Sequence, residues 1–296
     1  LKMAEITAKI VKDLRESTGC GMMDCKKALV ECDGDMDKAA EYLREKGLAK
    51  AAKKASRIAA EGIVKIYKDG KTGVILEVNA ETDFVAKNAE FQTFVENVAK
   101  VIAEKAPADV EALLAMDYPE GGTVSDALTN KIAVIGENMT IRRFERMEGT
   151  IASYDHDNGR IGVMVLLDAP ESDEAALMGK NICMHIAMYA PTYIAIEDVP
   201  AEVVEHEKEV LKIQAMNEGK PEAIAEKMVQ GRIRKFYESV CLNEQAYIMD
   251  EDIKVSKYID DTIKGAKVLK FVRYEKGEGL EKREDNFAEE IASMLK

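Results

Sequence analysis

Aromatic residues are scarce in this chain. Only 6% of its 296 residues are aromatic and none is tryptophan, so alanine and methionine supply much of the apolar content, which favours helices and adaptable surfaces. No apolar run is as long as a membrane-spanning helix. The balance of 47% hydrophobic and 33% charged residues is that of a globular protein, and the length predicts more than one domain.

Motifs for catalysis and metal binding are also missing. The chain has no phosphate-binding glycine loop, no nucleophile elbow and no dinucleotide fingerprint. The cysteines are odd in number and match no zinc or redox spacing: Cys20, Cys25, Cys32, Cys183 and Cys241. We therefore predict a protein that is not an enzyme, needs no cofactor or metal, has no disulfide framework and acts in the cytoplasm.

Positive charge is in deficit, with 42 lysines and arginines against 55 acidic residues and a net charge of −13. Phosphate backbones and anionic membranes require a basic face, so we predict no direct nucleic-acid partner and no membrane partner. The excess of negative charge favours a partner with positive patches. We also expect Leu1-Lys2 to be foreign to the natural chain, with the native start at Met3.

Residues 1–57 predict a small helical module of three helices. Apolar residues at a spacing of four, ending at Leu14, indicate the first helix. The second is expected at 22–32 and the third at 36–46, where Gly47 would end it. The basic, alanine-rich stretch 50–55 predicts a separate linking helix.

From Glu61 onward the residue pattern becomes typical of β-strands. Residues 62–67 and 73–78 predict two strands joined at Asp69-Gly70, a strong hairpin signal. A helix is expected at 89–106, with one inward face: Phe91, Phe94, Val95, Val98, Val101 and Ile102. We assign residues 58–146 to a first α+β subdomain.

An internal repeat predicts a second subdomain of the same kind. The layout of 148–154 repeats that of 61–67, and 162–169 repeats 73–80. Each copy alone would bury too little surface, so we predict an α+β core of two duplicated subdomains with antiparallel sheets. The second is assigned to residues 147–199 and 242–276, with strands at 247–249 and 267–274.

The segment 200–241 interrupts the second subdomain. Apolar residues at helical spacing on both sides of Gly219-Lys220-Pro221 predict two helices that pair as an antiparallel coiled-coil hairpin. A C-terminal module at 277–296 is expected to contain a short amphipathic helix at 286–296.

The most informative candidate site is Thr82-Asp83-Phe84-Val85-Ala86, which follows a predicted strand. One interpretation has Thr82 or Asp83 capping the next helix while Phe84 packs into the core. The other has Asp83 and Phe84 projecting outward to bind a partner, because an aspartate beside a large aromatic is costly to bury. The matching stretch of the second copy, 170–174, has no aromatic residue, which favours the binding interpretation.

Two further candidates are weaker. The turn containing Gly21, Met22 and Met23 is either an adaptable apolar contact surface or a helix junction whose methionines fill the core. His156 lies in a predicted hairpin turn, where a solvated histidine is the ordinary case. His185 is expected to be a hydrogen-bonded core residue and His206 to face solvent.

Together these motifs resemble the elongation factor Ts family. The resemblance runs along the whole chain in the same order and is carried by residues 3–8, 18–29, 82–87, 160–163, 226–232 and 277–279. It implies a ubiquitin-associated-like N-terminal module, a two-subdomain core, a coiled-coil hairpin and a C-terminal module. It also implies a partner, the GTPase elongation factor Tu, whose GDP the family releases.

The resemblance also implies roles for individual residues. In the family, an Asp-Phe loop enters beside the partner's nucleotide site and dislodges Mg²⁺, and here that role falls on Asp83 and Phe84 within Thr82–Val85. Met22 and Met23 match a contact to the partner's nucleotide domain, and His156 matches a histidine that faces the partner. Cys20 and the extended turn at 154–159 depart from the family pattern. The sequence leaves assembly open between a homodimer and a heterotetramer with the partner.

Two other classes stay open from the residues alone. The chain could be a coiled-coil adaptor without exchange activity that works through the predicted hairpin. It could also be an acidic, metal-dependent enzyme that uses clustered carboxylates. Neither class accounts for the motif at Thr82–Ala86.

Overall fold

The computed structural model describes residues 6–18 and 20–281. It confirms the mixed α+β class, with helices at the N-terminus and antiparallel sheets. Met3 and the helix predicted at 286–296 lie outside the described residues. Within the described part of the chain, no helix is both long and apolar enough to cross a membrane.

Helices follow one another in the first third of the chain and recur between the strands. They are α1 (Ala8–Thr18), α2 (Met22–Glu31), α3 (Met36–Lys54), α4 (Asp83–Ala86), α5 (Ala89–Lys105), α6 (Val110–Leu114), α7 (Val124–Ile135), α8 (Asp173–Tyr189), α9 (Ala201–Asn217), α10 (Glu222–Val240) and α11 (Val255–Thr262). Helices α6, α7 and α11 were not anticipated from the sequence.

The strands form two three-stranded sheets and one short pair within the described residues. They are β1 (Glu61–Asp69), β2 (Thr72–Ala80), β3 (Met139–Glu148), β4 (Thr150–His156), β5 (Ile161–Asp168), β6 (Ala246–Tyr247), β7 (Asp250–Lys254) and β8 (Lys267–Glu275). The sheet orders are β1-β2-β3 and β4-β5-β8, and β6 pairs with β7. The strand predicted at 267–274 is therefore confirmed in the second sheet. The one predicted at 247–249 is present only as the two-residue β6, because residues 248–249 form the turn to β7.

Contacts divide the chain into two compact units, and each is described by itself. The first contains the described chain up to Tyr67, Leu76–Phe144 and the segment from Glu275. The second contains Lys68–Ile75 and Glu145–Tyr274. The five domain boundaries derived from the sequence stay predictions.

In the first unit, α1, α2 and α3 pack around a small core of their own. Its buried members are Val11, Leu14, Cys25, Ala28, Leu29, Ala39 and Leu43. Helix α3 starts at Asp35, whose side chain accepts hydrogen bonds from the backbone N–H groups of Asp37 and Lys38, both at 3.1 Å. The three predicted helices of this region are thus present.

The end of the third helix was predicted wrongly. Gly47 does not terminate it; α3 runs unbroken from Met36 to Lys54 and includes the stretch assigned to a separate linking helix. Gly47 is buried instead, and a Cβ placed on it would lie 3.7 Å from the Ala133 Cβ on α7. That distance is an ordinary van der Waals contact, so α3 continues through Gly47 along a face that packs against α7. A local sequence signal cannot distinguish such a buried helix glycine from a helix stop.

Helix α5 carries the largest apolar face of the first unit. All six residues predicted to face inward are buried, and Phe91 and Phe94 are among the largest fully buried side chains. Asn88 caps its start by accepting hydrogen bonds from the N–H groups of Glu90, at 2.8 Å, and Phe91, at 3.3 Å. The helix is therefore fixed at its beginning and along its length.

A fully buried carboxylate ties the segment after β8 to the first unit. Glu77 on β2 accepts hydrogen bonds from Arg142 at 3.0 Å, Arg143 at 2.6 Å, Asn79 at 3.1 Å and the N–H of Gly277 at 2.9 Å. Burial raises the pKa of Glu77, but these hydrogen bonds and the Arg143 charge outweigh it and hold the pKa below its ordinary value. The carboxylate stays ionised because its partners replace water.

The second unit places α8 on the β4-β5-β8 sheet. Gly179 on α8 lies so close to the sheet that a Cβ placed there would be 2.3 Å from the Ala152 Cβ. His185 is buried on the same helix. Its Nδ1 accepts from the Ile248 N–H at 3.3 Å and its Nε2 lies 2.9 Å from the Gln245 Oε1. The expectation of a hydrogen-bonded core histidine is confirmed; His206 is exposed, also as expected.

Helices α9 and α10 pack against each other in the second unit and are joined through Gly219, whose φ is +81°. Leu211, Ala215, Ala225 and Val229 are buried between them. Ion pairs cross from one helix to the other: the Lys212 ammonium lies 2.7 Å from a Glu222 oxygen and 3.1 Å from a Glu226 oxygen. The two helices predicted for this segment are therefore present.

The strand–strand–helix order of the repeat occurs twice. It is β1, β2 and α5 in one place and β4, β5 and α8 in the other, and each helix ends at an alanine with positive φ, Ala106 at 47° and Ala190 at 45°. The connections between strand and helix differ. Residues 169–172 join β5 directly to α8, whereas residues 81–88 join β2 to α5 and contain the extra turn α4.

Candidate functional site

Helix α4 is a single turn that presents Phe84 to solvent. Asp83 is its first residue, and the Phe84 side chain is 78% exposed, the highest value among the large hydrophobic residues in the described part of the chain. The next residue, Val85, is buried. One side chain of the turn thus packs inward, while its neighbour projects away from the unit.

The alternative in which this motif caps the following helix is wrong. Asn88, not Thr82 or Asp83, caps α5. Thr82 occupies the position before α4, but its side chain makes no capping hydrogen bond there. Phe84 is likewise not packed in the core, because its ring is exposed.

Thr82 is held instead by a carboxylate distant in sequence. Glu137 accepts a hydrogen bond from the Thr82 hydroxyl at 2.7 Å with Oε1 and one from the Thr82 N–H at 3.0 Å with Oε2. A second contact runs the other way: Glu81 accepts from the Asn138 N–H at 2.6 Å. The start of the turn is therefore connected to the segment before β3. Sequence reasoning missed Glu137 and Asn138, because nothing local marks a contact across 55 positions.

Asp83 is paired at the surface. Its carboxylate lies 2.9 Å from the Lys87 ammonium, one helical turn further along. The hydrogen bond from Lys87 lowers the pKa of Asp83, against a smaller opposing effect of burial. Both side chains are well exposed, so the pair is weak and can exchange for a partner in another molecule.

The turn before α2 also presents apolar side chains to solvent. Met22 is 44% and Met23 75% exposed, so neither fills the core of the three N-terminal helices. Gly21 precedes the helix in an extended conformation, with φ at −62°. Of the two interpretations of this turn, core filling is wrong, and an accessible apolar surface is what the structure contains.

His156 belongs to the second unit. It ends β4, and its Nδ1 lies 3.0 Å from the Tyr154 hydroxyl oxygen, with the two rings tilted against each other. The other candidates, Gly21–Met23 and Thr82–Val85, belong to the first unit. Within that unit the structure joins Thr82 to Glu137, and it places the methionines on a different element, α2.

A comparison with protein families identifies the chain. The sequence model of the family described as elongation factor TS matches residues 81–278, about two thirds of the chain. That range includes Thr82–Val85, Glu137 and His156. Members of the family promote nucleotide exchange on elongation factor Tu during translation elongation and are not enzymes. This chain belongs to the elongation factor Ts family.

Proposed function

We propose that this chain releases GDP from elongation factor Tu by inserting the Asp83–Phe84 tip, defined as those two residues at the start of α4, beside the nucleotide site of the partner. Insertion would displace the segment that holds Mg²⁺ and so weaken GDP binding. The observation that carries the proposal is the exposed Phe84 ring on a turn whose neighbours are fixed.

The position of the ring is a property of the turn. A single exposed hydrophobic residue is common on protein surfaces and by itself means little. Here, however, Val85 packs inward immediately after Phe84, Thr82 is bonded on the other side, and Asn88 fixes the helix that follows. The ring therefore cannot turn into the core of its own unit without breaking these contacts, and it remains available to a partner.

The mechanism needs no chemistry on the factor. GDP is held by phosphate contacts that Mg²⁺ bridges, so moving the residues that hold the ion weakens nucleotide binding. Each distortion of about 1.4 kcal/mol lowers GDP affinity about tenfold. Coupling between two ligands is reciprocal, and bound nucleotide must weaken factor binding by the same factor. Incoming GTP would then displace the factor and complete the exchange.

Contacts away from the tip would supply the binding energy that supports this distortion. Met22 and Met23 are accessible and adaptable, which suits an apolar contact to the nucleotide domain of the partner. His156 is proposed as a further contact, from its place in the family pattern. The cytoplasmic location, the pairing of α9 and α10 as a coiled coil, and assembly as a homodimer or heterotetramer stay predictions.

The direct test is release of fluorescent GDP from elongation factor Tu with and without this protein, in excess unlabelled GDP. The proposal requires the rate to rise with protein concentration and reach a plateau. A release rate independent of the protein, measured while a pull-down shows that the two proteins bind, would refute it.

An adaptor function is the alternative, since Ile213, Met216 and Ile224 are exposed near the α9–α10 turn. A shortened hairpin discriminates the two. The truncation should keep the base, where Thr192 and Tyr193 donate to the Val240 carbonyl at 2.8 and 3.0 Å. An exchange factor retains most of its effect on GDP release after this truncation, whereas an adaptor loses its activity.

A further inference from the structure

We propose that Glu137 is a positioning residue for nucleotide exchange, which sets the direction in which the Asp83–Phe84 tip leaves the first unit. The inference rests on the proposed function of that tip. Glu137 contacts no partner in this account; it acts through Thr82.

The fold places the Glu137 side chain within hydrogen-bonding distance of Thr82, the residue that precedes the tip. Helix α7 ends at Ile135, and Gly136 follows with a φ of +90°. Glu137 and Asn138 then form the whole connection to β3, which starts at Met139. The carboxylate is consequently attached to a short connection between two regular elements, a rigid support for a residue that must hold another in place.

The contacts between the two strand ends are reciprocal. Glu137 accepts from the backbone and hydroxyl of Thr82, while Glu81 accepts from the backbone of Asn138. Asn138 is buried, and its side chain donates to the Arg57 carbonyl at 2.8 Å. Residues 81–82 at the end of β2 and residues 137–138 at the start of β3 are thus bonded in both directions.

These contacts act directly on the tip because Thr82 immediately precedes α4. A turn of four residues is too short to be stable by itself, so its orientation depends on what holds its ends. Val85 and Asn88 hold the end toward α5. Glu137 holds the start, and both of its oxygens are used on Thr82.

The first test measures the tip in the free protein. The chain has no tryptophan, so Phe84→Trp supplies a single fluorescent reporter at the tip. We expect Glu137→Gln to increase the fast motion of this tryptophan in time-resolved anisotropy, because the amide is uncharged and has one acceptor oxygen in place of two, which weakens its hold on Thr82. Glu104→Gln, on the exposed face of α5, is the matched control and leaves the motion unchanged. Identical anisotropy decays in Glu137→Gln and the parent would overturn the inference.

The second test measures exchange. Glu137→Gln should lower the plateau rate of GDP release about tenfold, the equivalent of about 1.4 kcal/mol and near the lower end for a hydrogen bond to a charged group. The factor concentration at half-saturation should change little. A residue that merely stabilises the fold would lower the unfolding temperature without moving the plateau rate of the folded protein, and that outcome rejects the positioning role.

A second variant guards against a failure to fold. Thr82→Val removes the hydroxyl bond to Glu137 and keeps the backbone bond and the β-branched shape, so its plateau rate should also fall. Combined with Glu137→Gln, the two effects should be less than additive, because both weaken the contact between the same two residues; fully additive losses contradict the proposal. Phe84→Ala distinguishes a failure of the proposed function from a failure of the proposed role of Glu137. If it releases GDP at the wild-type rate, the proposed function fails; if it is impaired while Glu137→Gln and Thr82→Val are normal, only the role of Glu137 fails.

Discussion

Replacing Phe84 by alanine should separate activity from stability. The ring is 78% exposed, so its removal leaves no cavity and should change the free energy of unfolding by no more than about 0.5 kcal/mol. Urea unfolding measures this directly. A buried phenylalanine of the same unit, such as Phe91, would by contrast cost about 3–5 kcal/mol on truncation to alanine.

The effect on exchange should be large for the same geometric reason. Most of the Phe84 surface is available to be buried in the partner, and burying a phenylalanine side chain contributes about 1.5–3 kcal/mol. At about 1.4 kcal/mol per factor of ten, Phe84→Ala should slow GDP release at saturating factor by about 10- to 100-fold. Stopped-flow release of fluorescent GDP from elongation factor Tu is the assay.

Leu177→Ala provides the matched control, because this leucine is also exposed but lies on α8 in the second unit. It should leave both stability and exchange near the wild-type values. Two results would refute the reasoning: a stability loss of several kcal/mol in Phe84→Ala, which would mean that the ring is packed in solution, or an unchanged release rate.

The remaining predictions concern the fold. Gly179→Ala should destabilise the protein by about 1–3 kcal/mol in urea unfolding, because its Cβ would meet Ala152, whereas Gly231→Ala, on an open face of α10, should stabilise it by up to about 1 kcal/mol. Glu77→Gln should cost about 3 kcal/mol at neutral pH. The pKa of Glu77 is lower in the folded state than in the unfolded chain. Its contribution to the free energy of unfolding is therefore complete above the unfolded pKa and is lost as the pH falls through the folded one. In Glu77→Gln, the free energy of unfolding should accordingly depend less on pH in the acid range. Burial lowers the pKa of His185, against a smaller opposing effect of the hydrogen bond with Gln245, so the folded state disfavours the protonated ring. The free energy of unfolding should therefore fall as the pH drops below about 6.5, the pKa of histidine in the unfolded chain. In His185→Gln this fall should be smaller.

Elements with a clear pattern of apolar residues were predictable, because the apolar positions in their sequence are the positions that are buried. Helix α5 follows a long apolar stripe, and β4 and β5 lie on either side of a polar turn, so residues 89–106, 148–154 and 162–169 were placed within a few positions of the structure. These patterns record burial directly, and burial is what organises the fold.

Gly47 shows where local reasoning fails. A glycine near the end of an apolar pattern usually marks a helix stop, and nothing within α3 indicates otherwise. Gly47 is instead buried on a face of α3 that packs near Ala133, more than eighty positions away on α7. A rule based on neighbours in sequence cannot detect the packing against another helix through which α3 continues past a glycine.

The candidate site, too, could be predicted only in part. The exposure of Phe84 could be argued in advance, because the matching stretch in the second copy of the repeat has no aromatic residue. The burial of Val85 and the hydrogen bonds that Glu137 accepts from Thr82 could not, since they depend on tertiary structure. Sequence therefore located the tip, and only the structure revealed what holds it.

One measurement tests the central claim most directly: GDP release and factor binding followed together for Asp83→Ala/Phe84→Ala. The account predicts a folded variant that still binds elongation factor Tu through its other contacts but no longer accelerates release. Acceleration equal to that of the wild-type protein would contradict it, because nucleotide would then leave without the tip.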